Sequence, residues 1–428
     1  MLPAIYWRQN QSKTWWKFPV GFIIHHQCIG TGKMEKLQYN FSSKTNKLSE
    51  FGITAGVVNS GNLEILLEKH DKVDELFIEI NTTVPGFAAV WQAVISDFVA
   101  KYAVGACKFT INDCGATPAI VSLRLRQLYE LAASGNQGND YSNSRYLELN
   151  ARERINALVD GGSFTEIMPA INKIVSPHLG QLDLPVEFDD GVIIGTAKIS
   201  GKPVYIASQN YAFMGGAVGE VNGAKLSGIC LKALKDKVSA MIFLLDSGGV
   251  RLHEANAGEI AISELIAAII QLKLASIPVI GIVAGRNGAF GGIGIVSQCL
   301  DAIIVTENAR TSVSGPEVIE TVMGVAEYDS SDRALVWRTC GGRHRSIMGD
   351  AFYSSKQIGD IRQKLLELLD KPTLFNEKTL LDEYQQLEQR LIDNQNSRDG
   401  IDVWAIAGLS NPQQIPDLSD SDFMELLK

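Results

Sequence analysis

The sequence is poor in the residues that small secreted proteins and metal-binding modules depend on. Its 428 residues include six cysteines and six histidines, and no two cysteines form a CxxC pair. Scattered cysteines exclude a zinc ribbon and are typical of a reduced, cytosolic interior. No uncharged apolar run reaches about 18 residues, the length that a membrane-spanning helix requires. We therefore expect a cytoplasmic protein that has no membrane as a partner.

Positive charge is also scarce. Thirty-nine lysines and arginines face 48 aspartates and glutamates, giving a formal net charge of -9. This balance argues against nucleic acid as the main partner. Residues 1–33 carry four basic residues and no acid, whereas residues 371–428 carry eleven acids against five bases. Because well-patterned sequence begins at Met34, we interpret residues 1–33 as a non-native extension from an upstream start codon.

The hydrophobic content of 46% is ample for a large core, and the length suggests about three structural units. From Met34 to residue 133 the pattern predicts a small α/β domain. Its short apolar runs have the length of strands, and two longer segments have helical spacing. The predicted strands are 52–58, 63–67, 76–80 and 108–112, and the predicted helices are 87–102 and 120–133.

Residues 134–144 are polar and contain glycine, which predicts a flexible linker. From residue 145 to 428 the pattern predicts a larger α/β domain that ends in an acidic tail. Its strands are continuously apolar, as strands covered on both faces are. We expect a helix at 151–160, a hairpin at 191–208, strands at 240–245, 277–284 and 302–306, a core helix at 258–274 and a tail helix at 380–393 before an irregular end.

Three glycine clusters, at residues 214–220, 246–252 and 288–294, each lie directly after a strand or before a helix. The first amides of a helix have no intrahelical acceptor and lie at the positive end of its dipole. Glycine lets a ligand oxygen approach such amides closely. Two converging donors would form an oxyanion hole, which contributes several kcal/mol to an enolate-forming transition state. The alternative is that these are tight turns with nothing bound.

Other polar residues give weaker signals. Lone histidines beside charged residues are usually surface groups. A serine nucleophile requires a His–Asp arrangement, which the spacing does not show. Paired aspartates before glycine favour a turn over a metal site. No HExxH or Walker pattern occurs. On local evidence Ser60 is a turn serine in Asn-Ser-Gly. The other residues in this group are His253, His344, Ser247, Asp189 and Asp190.

The motifs at residues 277–284, 290–293, 306–310 and 315–317 resemble the crotonase and carboxyltransferase superfamily. Those at 213–225, 246–256, 315–320 and 328–333 make the resemblance more specific. More narrowly, residues 145–428 resemble the β subunit of biotin-independent malonate decarboxylase. The resemblance implies a crotonase-like carboxyltransferase domain with two oxyanion-hole backbone segments. One segment is Gly248, Gly249 and Val250, and the other is Gly291 and Gly292. We take Gly215, Gly216 and Gly219 as candidates for binding the thioester arm.

Residues 34–133 resemble the acyl carrier (δ) subunit of the same enzyme, on the motifs at 56–64, 83–91 and 112–126. This resemblance implies that Ser60 carries a covalent 2′-(5″-phosphoribosyl)-3′-dephospho-CoA arm. The chain then resembles a fusion of the carrier and β subunits, joined through residues 134–144. A flexible linker raises the effective concentration of the carrier at the adjacent site.

The resemblance implies that malonyl-S-carrier is decarboxylated to acetyl-S-carrier and CO₂ during malonate catabolism, without biotin or metal. It also implies three partners: a homologous γ subunit that shares the active site, an α subunit that exchanges acetyl for malonyl, and a prosthetic-group transferase. One alternative is a subunit of a biotin-dependent acyl-CoA carboxyltransferase, because the glycine clusters suit either chemistry. Another is a non-catalytic scaffold that docks the carrier to a separate decarboxylase.

Overall fold

The chain folds into two α/β domains, a small one followed by a larger one, as the sequence predicts. Most of the segment that we interpret as an extension, residues 1–32, lies outside the described residues. The same holds for residues 135–140, the middle of the predicted linker. The structure is a computed structural model that describes residues 33–43, 48–102, 104–134, 141–372 and 374–428.

The small domain has a five-stranded sheet in the order β1-β4-β5-β3-β2, with two helices. Every strand and helix predicted for this domain is present. The first strand is an addition to the prediction; it pairs antiparallel with β4 at one edge and is only half buried. The elements are β1 Glu35–Ser42, β2 Thr54–Gly56, β3 Asn62–Lys69, β4 Glu75–Thr82, α1 Ala88–Lys101, β5 Cys107–Cys114 and α2 Pro118–Ser134.

Strand β3 is buried on both faces, and each face has a different neighbour. Leu63 and Ile65 point to the domain's own core, where they pack with Trp91 of α1 and Leu125 of α2. Leu66, on the opposite face, packs against residues of the large domain. The carrier-like domain is therefore docked on the large domain through its sheet.

The large domain is built on a seven-stranded sheet in the order β14-β12-β10-β9-β8-β7-β6. Strands β8, β9, β10, β12 and β14 are parallel, and β9 is buried along its whole length, as its continuous apolar sequence predicts. The strands are β6 Thr165–Ile167, β7 Val192–Ile199, β8 Lys202–Gln209, β9 Ala240–Leu245, β10 Val279–Val283, β11 Ala289–Phe290, β12 Ala302–Val305, β13 Thr311–Ser312 and β14 Phe352–Tyr353.

Helices cover both faces of this sheet, and the predicted helices at 151–160, 258–274 and 380–393 are present. Their core residues form two clusters, one on each side of the sheet. The helices are α3 Ala151–Leu158, α4 Pro177–Gln181, α5 Glu220–Asp236, α6 Asn256–Leu274, α7 Gly291–Gln298, α8 Pro316–Met323, α9 Arg333–Cys340, α10 Gly342–Ile347, α11 Ile358–Asp370, α12 Glu377–Asp393, α13 Gly400–Ile406 and α14 Asp420–Leu426.

The expectation of an irregular C-terminal end is wrong, because α13 and α14 follow α12. Each of these short helices inserts an aromatic anchor into the core, Trp404 and Phe423 respectively. The ring of Phe423 lies edge-on to Tyr353, with centroids 4.6 Å apart. A seven-residue helix with one buried aromatic residue is too short to show helical periodicity in the sequence.

The end of the predicted linker is also ordered. Residues 141–144 form a turn in which the Ser144 amide donates to the Tyr141 carbonyl at 2.8 Å. The amide of Ile358, at the start of α11, donates to the Ser144 carbonyl at 3.0 Å. The large domain therefore begins its contacts a few residues before the boundary that the sequence predicts.

Four of the described cysteines, Cys107, Cys230, Cys299 and Cys340, carry free thiols. Burial raises the pKa of the Cys107 and Cys230 thiols to about 12, which keeps both protonated at neutral pH. In the described part of the chain, no helix combines the length and the apolar character needed to cross a bilayer.

A buried ion pair connects the first helix of the large domain to the end of its central strand. Arg154 of α3 donates to the Asp246 carboxylate at 2.8 Å, and both side chains are fully buried. The same carboxylate accepts the backbone amides of Arg286 at 3.2 Å and Asn287 at 2.7 Å. Asp246 therefore holds together the chain segments that carry the second and third glycine clusters.

We expect Arg154→Met to lower the free energy of unfolding by about 3–5 kcal/mol, because it leaves the Asp246 charge buried without its cation. The control is Arg126→Met, which breaks the exposed pair between Arg126 and Glu130 and should cost less than about 1 kcal/mol. Urea unfolding of the full chain measures both. Equal small losses would show that the buried pair does not hold the domain together.

Candidate active site

The first and second glycine clusters lie side by side. The Gly248 amide donates to the Gly215 carbonyl at 2.9 Å, and the Val218 amide donates to the Gly249 carbonyl at 2.9 Å. Val218 and Val250 form a parallel bridge just beyond them. Residues 214–220 therefore run along residues 246–252 as a short added strand.

The third cluster contacts the second from the other side. The Ser247 amide donates to the Gly288 carbonyl at 2.8 Å, and the Phe290 amide donates to the Ser247 carbonyl at 3.0 Å. A β-carbon at Gly291 would lie only 3.1 Å from the Gly249 α-carbon. Both glycines have positive φ, +133° at Gly249 and +57° at Gly291, so the backbone conformation favours glycine at both positions, and close approach adds to this at Gly291. The structure thus brings together the two segments that the sequence predicts as oxyanion donors.

Helix α7 begins at Gly291, and its first amides have no intrahelical acceptor. The preceding Phe290 provides no side-chain cap. The amides of Gly291 and Gly292 therefore lie at the positive end of the α7 dipole, beside the turn that contains Gly249 and Val250. This arrangement can donate hydrogen bonds to an oxygen that gains negative charge.

The reason for glycine differs from one position to another. At Gly292 a β-carbon would lie 2.7 Å from the Ile262 side chain of α6, so the absent side chain serves core packing there. Sequence reasoning had explained this glycine by the approach of a ligand oxygen. That explanation fits Gly249 and Gly291, whereas at Gly292 only the backbone amide is available for such a role.

The three glycines considered for the thioester arm also differ. Gly215 has φ +68°, and no atom comes nearer than 3.9 Å to a β-carbon placed there. A β-carbon at Gly216 would lie 2.0 Å from the Asp246 carbonyl, and one at Gly219 would lie 2.4 Å from the Glu254 carboxylate. Gly215 therefore borders open space, whereas the other two are required by packing.

Sequence reasoning missed a buried charge network behind the second cluster. Arg251 donates to both oxygens of Asp190, at 3.0 and 2.9 Å, and to Glu254 at 3.0 Å. Burial raises the pKa of Asp190, and the Arg251 charge opposes this rise. Asp190 lies in a turn, as expected, with φ +58°. The network therefore fixes the position of Arg251, which lies at the C-terminal end of the second glycine cluster.

The remaining candidates have structural surroundings. His253 is exposed. His344 accepts a hydrogen bond from the Trp404 indole at 3.1 Å, and burial lowers its pKa to about 4, so it is neutral at physiological pH. The Ser247 hydroxyl is buried and bonds the Gly249 carbonyl within its own loop at 3.2 Å.

Ser60 is exposed at the tip of the turn between β2 and β3. Its amide donates to the Asn59 side chain at 2.7 Å, and the next amide, of Gly61, donates to the Cys114 carbonyl at 2.8 Å. The turn is therefore fixed by its backbone while the serine side chain faces solvent. This geometry fits a residue that receives a covalent arm.

The Ser60 turn lies beside the first glycine cluster. Val58, two residues before the serine, is buried against Leu179 and Phe213, with Met214 at the edge of the same apolar cluster. Gly215 follows directly. The carrier-like domain thus presents its candidate attachment turn close to the segment where the glycine site begins.

Comparison with known proteins assigns the two domains to two families. Residues 52–132 match the model described as malonate decarboxylase delta subunit. Residues 147–340 match the model described as carboxyl transferase domain. The two matches fall on the two domains of the structure.

Curated relatives agree with this division. The malonyl-S-ACP:biotin-protein carboxyltransferase of Malonomonas rubra is 37% identical over 304 residues, which is 66% of this chain and 95% of that protein. The malonate decarboxylase acyl carrier protein of Acinetobacter calcoaceticus is 45% identical over 94 residues, which is 22% of this chain and 92% of that protein.

Among solved structures, a chain of a Pseudomonas malonate decarboxylase hetero-tetramer in complex with malonate matches with a TM-score of 0.58 and 36% identity. The match covers 62% of this chain and 98% of that one. Relatives over nearly their full length thus account for both domains. The chain belongs to the malonate decarboxylase family, in which it joins an acyl-carrier domain of the delta type to a crotonase-like carboxyl transferase domain.

Proposed function

We propose that this chain decarboxylates malonyl-S-carrier to acetyl-S-carrier and CO₂, with the thioester arm attached to its own Ser60, as a step of malonate catabolism in the cytoplasm. The observation that carries the proposal is the position of the carrier domain, docked beside the glycine site of the carboxyl transferase domain. Family membership supports malonate decarboxylation in general.

The proposed chemistry breaks the bond between the carboxylate and the α-carbon of the malonyl group. CO₂ leaves, the electron pair stays on the α-carbon, and negative charge develops on the thioester oxygen. In the segment 248–250 the amides of Gly248 and Gly249 already donate to the Gly215 carbonyl and the Ser247 hydroxyl, which makes the Val250 amide the first candidate donor. Together with the amides of Gly291 and Gly292, it would stabilise that oxygen more strongly in the transition state than in the ground state. A proton then adds to the α-carbon, and we propose that the partner γ subunit supplies it. No biotin or metal takes part.

The arm proposed on Ser60 is 2′-(5″-phosphoribosyl)-3′-dephospho-CoA, which supplies the thioester as an electron sink. The exposed hydroxyl on a fixed turn supports attachment there by a prosthetic-group transferase. Gly215, next to the docked turn and bordering open space, is the first candidate to contact the arm, with Gly216 and Gly219 beside it in the chain.

An apolar surface around the glycine segments supports a covering partner. Leu252, in the second glycine segment, is 83% exposed, and Ile260 of α6 and Ile295 of α7 are exposed on helices that contact each other, one of which also contacts the Leu252 turn. Exposed apolar patches of this kind mark interaction sites. We propose that a homologous γ subunit completes the site here and that an α subunit exchanges acetyl for malonyl on the carrier.

A second candidate function follows from the Malonomonas rubra relative, whose name describes transfer from malonyl-S-ACP to a biotin protein. The same glycine amides would stabilise the same thioester oxygen. The difference lies in the fate of CO₂, which would pass to biotin on a partner instead of being released.

The first test concerns the arm. Intact-mass analysis of the chain co-expressed with its modifying enzymes should show one CoA-derived addition, which is absent in Ser60→Ala because the acceptor hydroxyl is lost. Ser122→Ala, at another exposed serine of the carrier domain, is the control and should keep the addition. An addition that persists in Ser60→Ala would contradict the assignment.

The second test concerns the glycine site. We expect Gly249→Ala to slow decarboxylation by the complete complex about 100- to 1000-fold, because a φ of +133° is strained for alanine and the turn that carries the Val250 amide would have to change its conformation. The control is Gly228→Ala, on the exposed face of α5, where no atom lies within 4 Å of the added carbon. Near-full activity of a folded Gly249→Ala variant would place the oxyanion site elsewhere.

For Gly292→Val we instead expect a lower free energy of unfolding, because the added side chain would overlap Ile262 of α6.

The third test separates the two candidate functions. If CO₂ is released directly, an excess of avidin should leave malonate decarboxylation by the complete complex unchanged, because no biotin takes part. If avidin abolishes the activity, and avidin that has first been saturated with free biotin does not, the result would favour the carboxyltransferase alternative.

A further inference from the structure

The contact between the two domains has an apolar part with two clusters. Leu66 of β3 is fully buried against Ala170 and Phe188 of the large domain. Val58 is buried against Leu179 and Phe213. These contacts hold the Ser60 turn next to the first glycine cluster.

Polar groups connect the same two surfaces. The Phe188 amide donates to the Glu64 carboxylate at 2.9 Å, and the Asn112 side-chain amide donates to the Val186 carbonyl at 2.9 Å. At the rim, Lys173 pairs with Glu68 at 2.7 Å. Glu64, Glu68 and Asn112 all belong to the outer face of the carrier sheet, so docking removes this face from water.

Carboxylates from both domains are buried in this contact. Glu64 of the carrier and Glu187 of the large domain are each only 2% exposed. Glu187 accepts the Asn210 side-chain amide with both oxygens, at 2.8 and 3.0 Å. Asp189, also buried, lies just beyond Phe188, whose amide holds Glu64. Three acidic side chains thus meet where the domains join.

The nearby cations are committed to other groups. Arg152 pairs with Glu166 at 2.6 Å, and Lys225 donates to the backbone carbonyls of Asp189 and Val192 at 2.7 and 2.6 Å. Within the part of the chain that the structure describes, no ion pair within 4 Å involves Glu64 or Glu187. Glu64 and Glu187 therefore accept hydrogen bonds but have no direct cationic partner, which a buried carboxylate needs to stay charged.

Burial raises the pKa of Glu64 and Glu187, and the charge of Asp189 raises both further. Arg152 opposes the rise at Glu64, and Arg251 opposes it at Glu187. Undocking exposes Glu64 to water, where an ordinary glutamate has a pKa of about 4.3. The groups that face the three carboxylates from the packed elements are Arg152, Glu166, Asn210, Lys225 and Arg251.

We propose that Glu64 and Glu187 form a proton-dependent latch between the carrier domain and the carboxyl transferase domain, binding a proton on docking and releasing it when the carrier leaves. The docked state then holds more protons than the undocked state, so docking is strongest at low pH and weakens as pH rises. Such a latch lets the carrier leave to reach another subunit. It concerns docking alone and holds whether CO₂ is released or transferred.

Hydrogen exchange of the full chain tests the latch. The peptide covering 184–190, whose Phe188 amide donates to Glu64 across the contact, would be followed from about pH 5 to about pH 8.5, with rates corrected for intrinsic exchange. One bound proton predicts an opening constant that rises up to about tenfold per pH unit. Glu64→Gln and Glu187→Gln mimic the protonated groups and should flatten this slope.

The matched control is Glu68→Gln, in the same interface but at the Lys173 rim. The Glu68→Gln variant should have a larger opening constant than the wild-type chain at every pH, because it loses the ion pair with Lys173. The dependence of its opening constant on pH should be the same as in the wild-type chain. A flat corrected profile in the wild-type chain would overturn the latch, and that result stands even if a glutamine variant fails to fold. A wild-type slope that persists in both glutamine variants would also overturn it.

Discussion

The glycine site depends on the burial of one carboxylate, that of Asp246. Arg154 neutralises it, and the amides of Arg286 and Asn287 complete its hydrogen bonds. Gly285 must lack a side chain because a β-carbon there would lie 1.9 Å from Asp246 Oδ2. Separating the loops would leave a buried charge without partners, which costs several kcal/mol. This interaction therefore fixes the distance between the two segments that would stabilise the thioester oxygen.

Much of this architecture is predictable from the sequence, since buried strands such as β9 are continuously apolar and glycine clusters mark the turns beyond them. The resemblance to a known family predicts that the segments of Gly249 and Gly291 act at one site, whereas their spacing in the sequence alone does not. Three features escaped prediction for physical reasons. Helices α13 and α14 are too short to show helical periodicity in the sequence. Gly292 is glycine because a side chain there would overlap Ile262 of α6. The outer face of β3 mixes Glu64 with Leu66, and such a mixed pattern does not predict that a second domain covers this face.

The two domains place the proposed attachment turn and the glycine site in one chain, so the carrier is tethered to the site that it would supply. A tethered carrier reaches the adjacent site at high effective concentration, so docking need not be tight. Tight docking would hinder a carrier that, as we propose, also collects malonyl groups at another subunit. Burying Glu64 and Glu187 without cations limits the stability of the docked state while the apolar contacts of Leu66 and Val58 set its orientation.

The proposed function requires the chain to decarboxylate a malonyl group carried on its own Ser60. A single-turnover experiment tests it: the malonyl-loaded chain is assembled with its partner subunits, and the Ser60 peptide is followed by mass spectrometry as a function of time and dilution. We expect conversion of malonyl to acetyl with release of CO₂, at a rate that dilution of the assembled complex does not change. A malonyl group that persists, or a rate that falls in proportion to dilution, would contradict it.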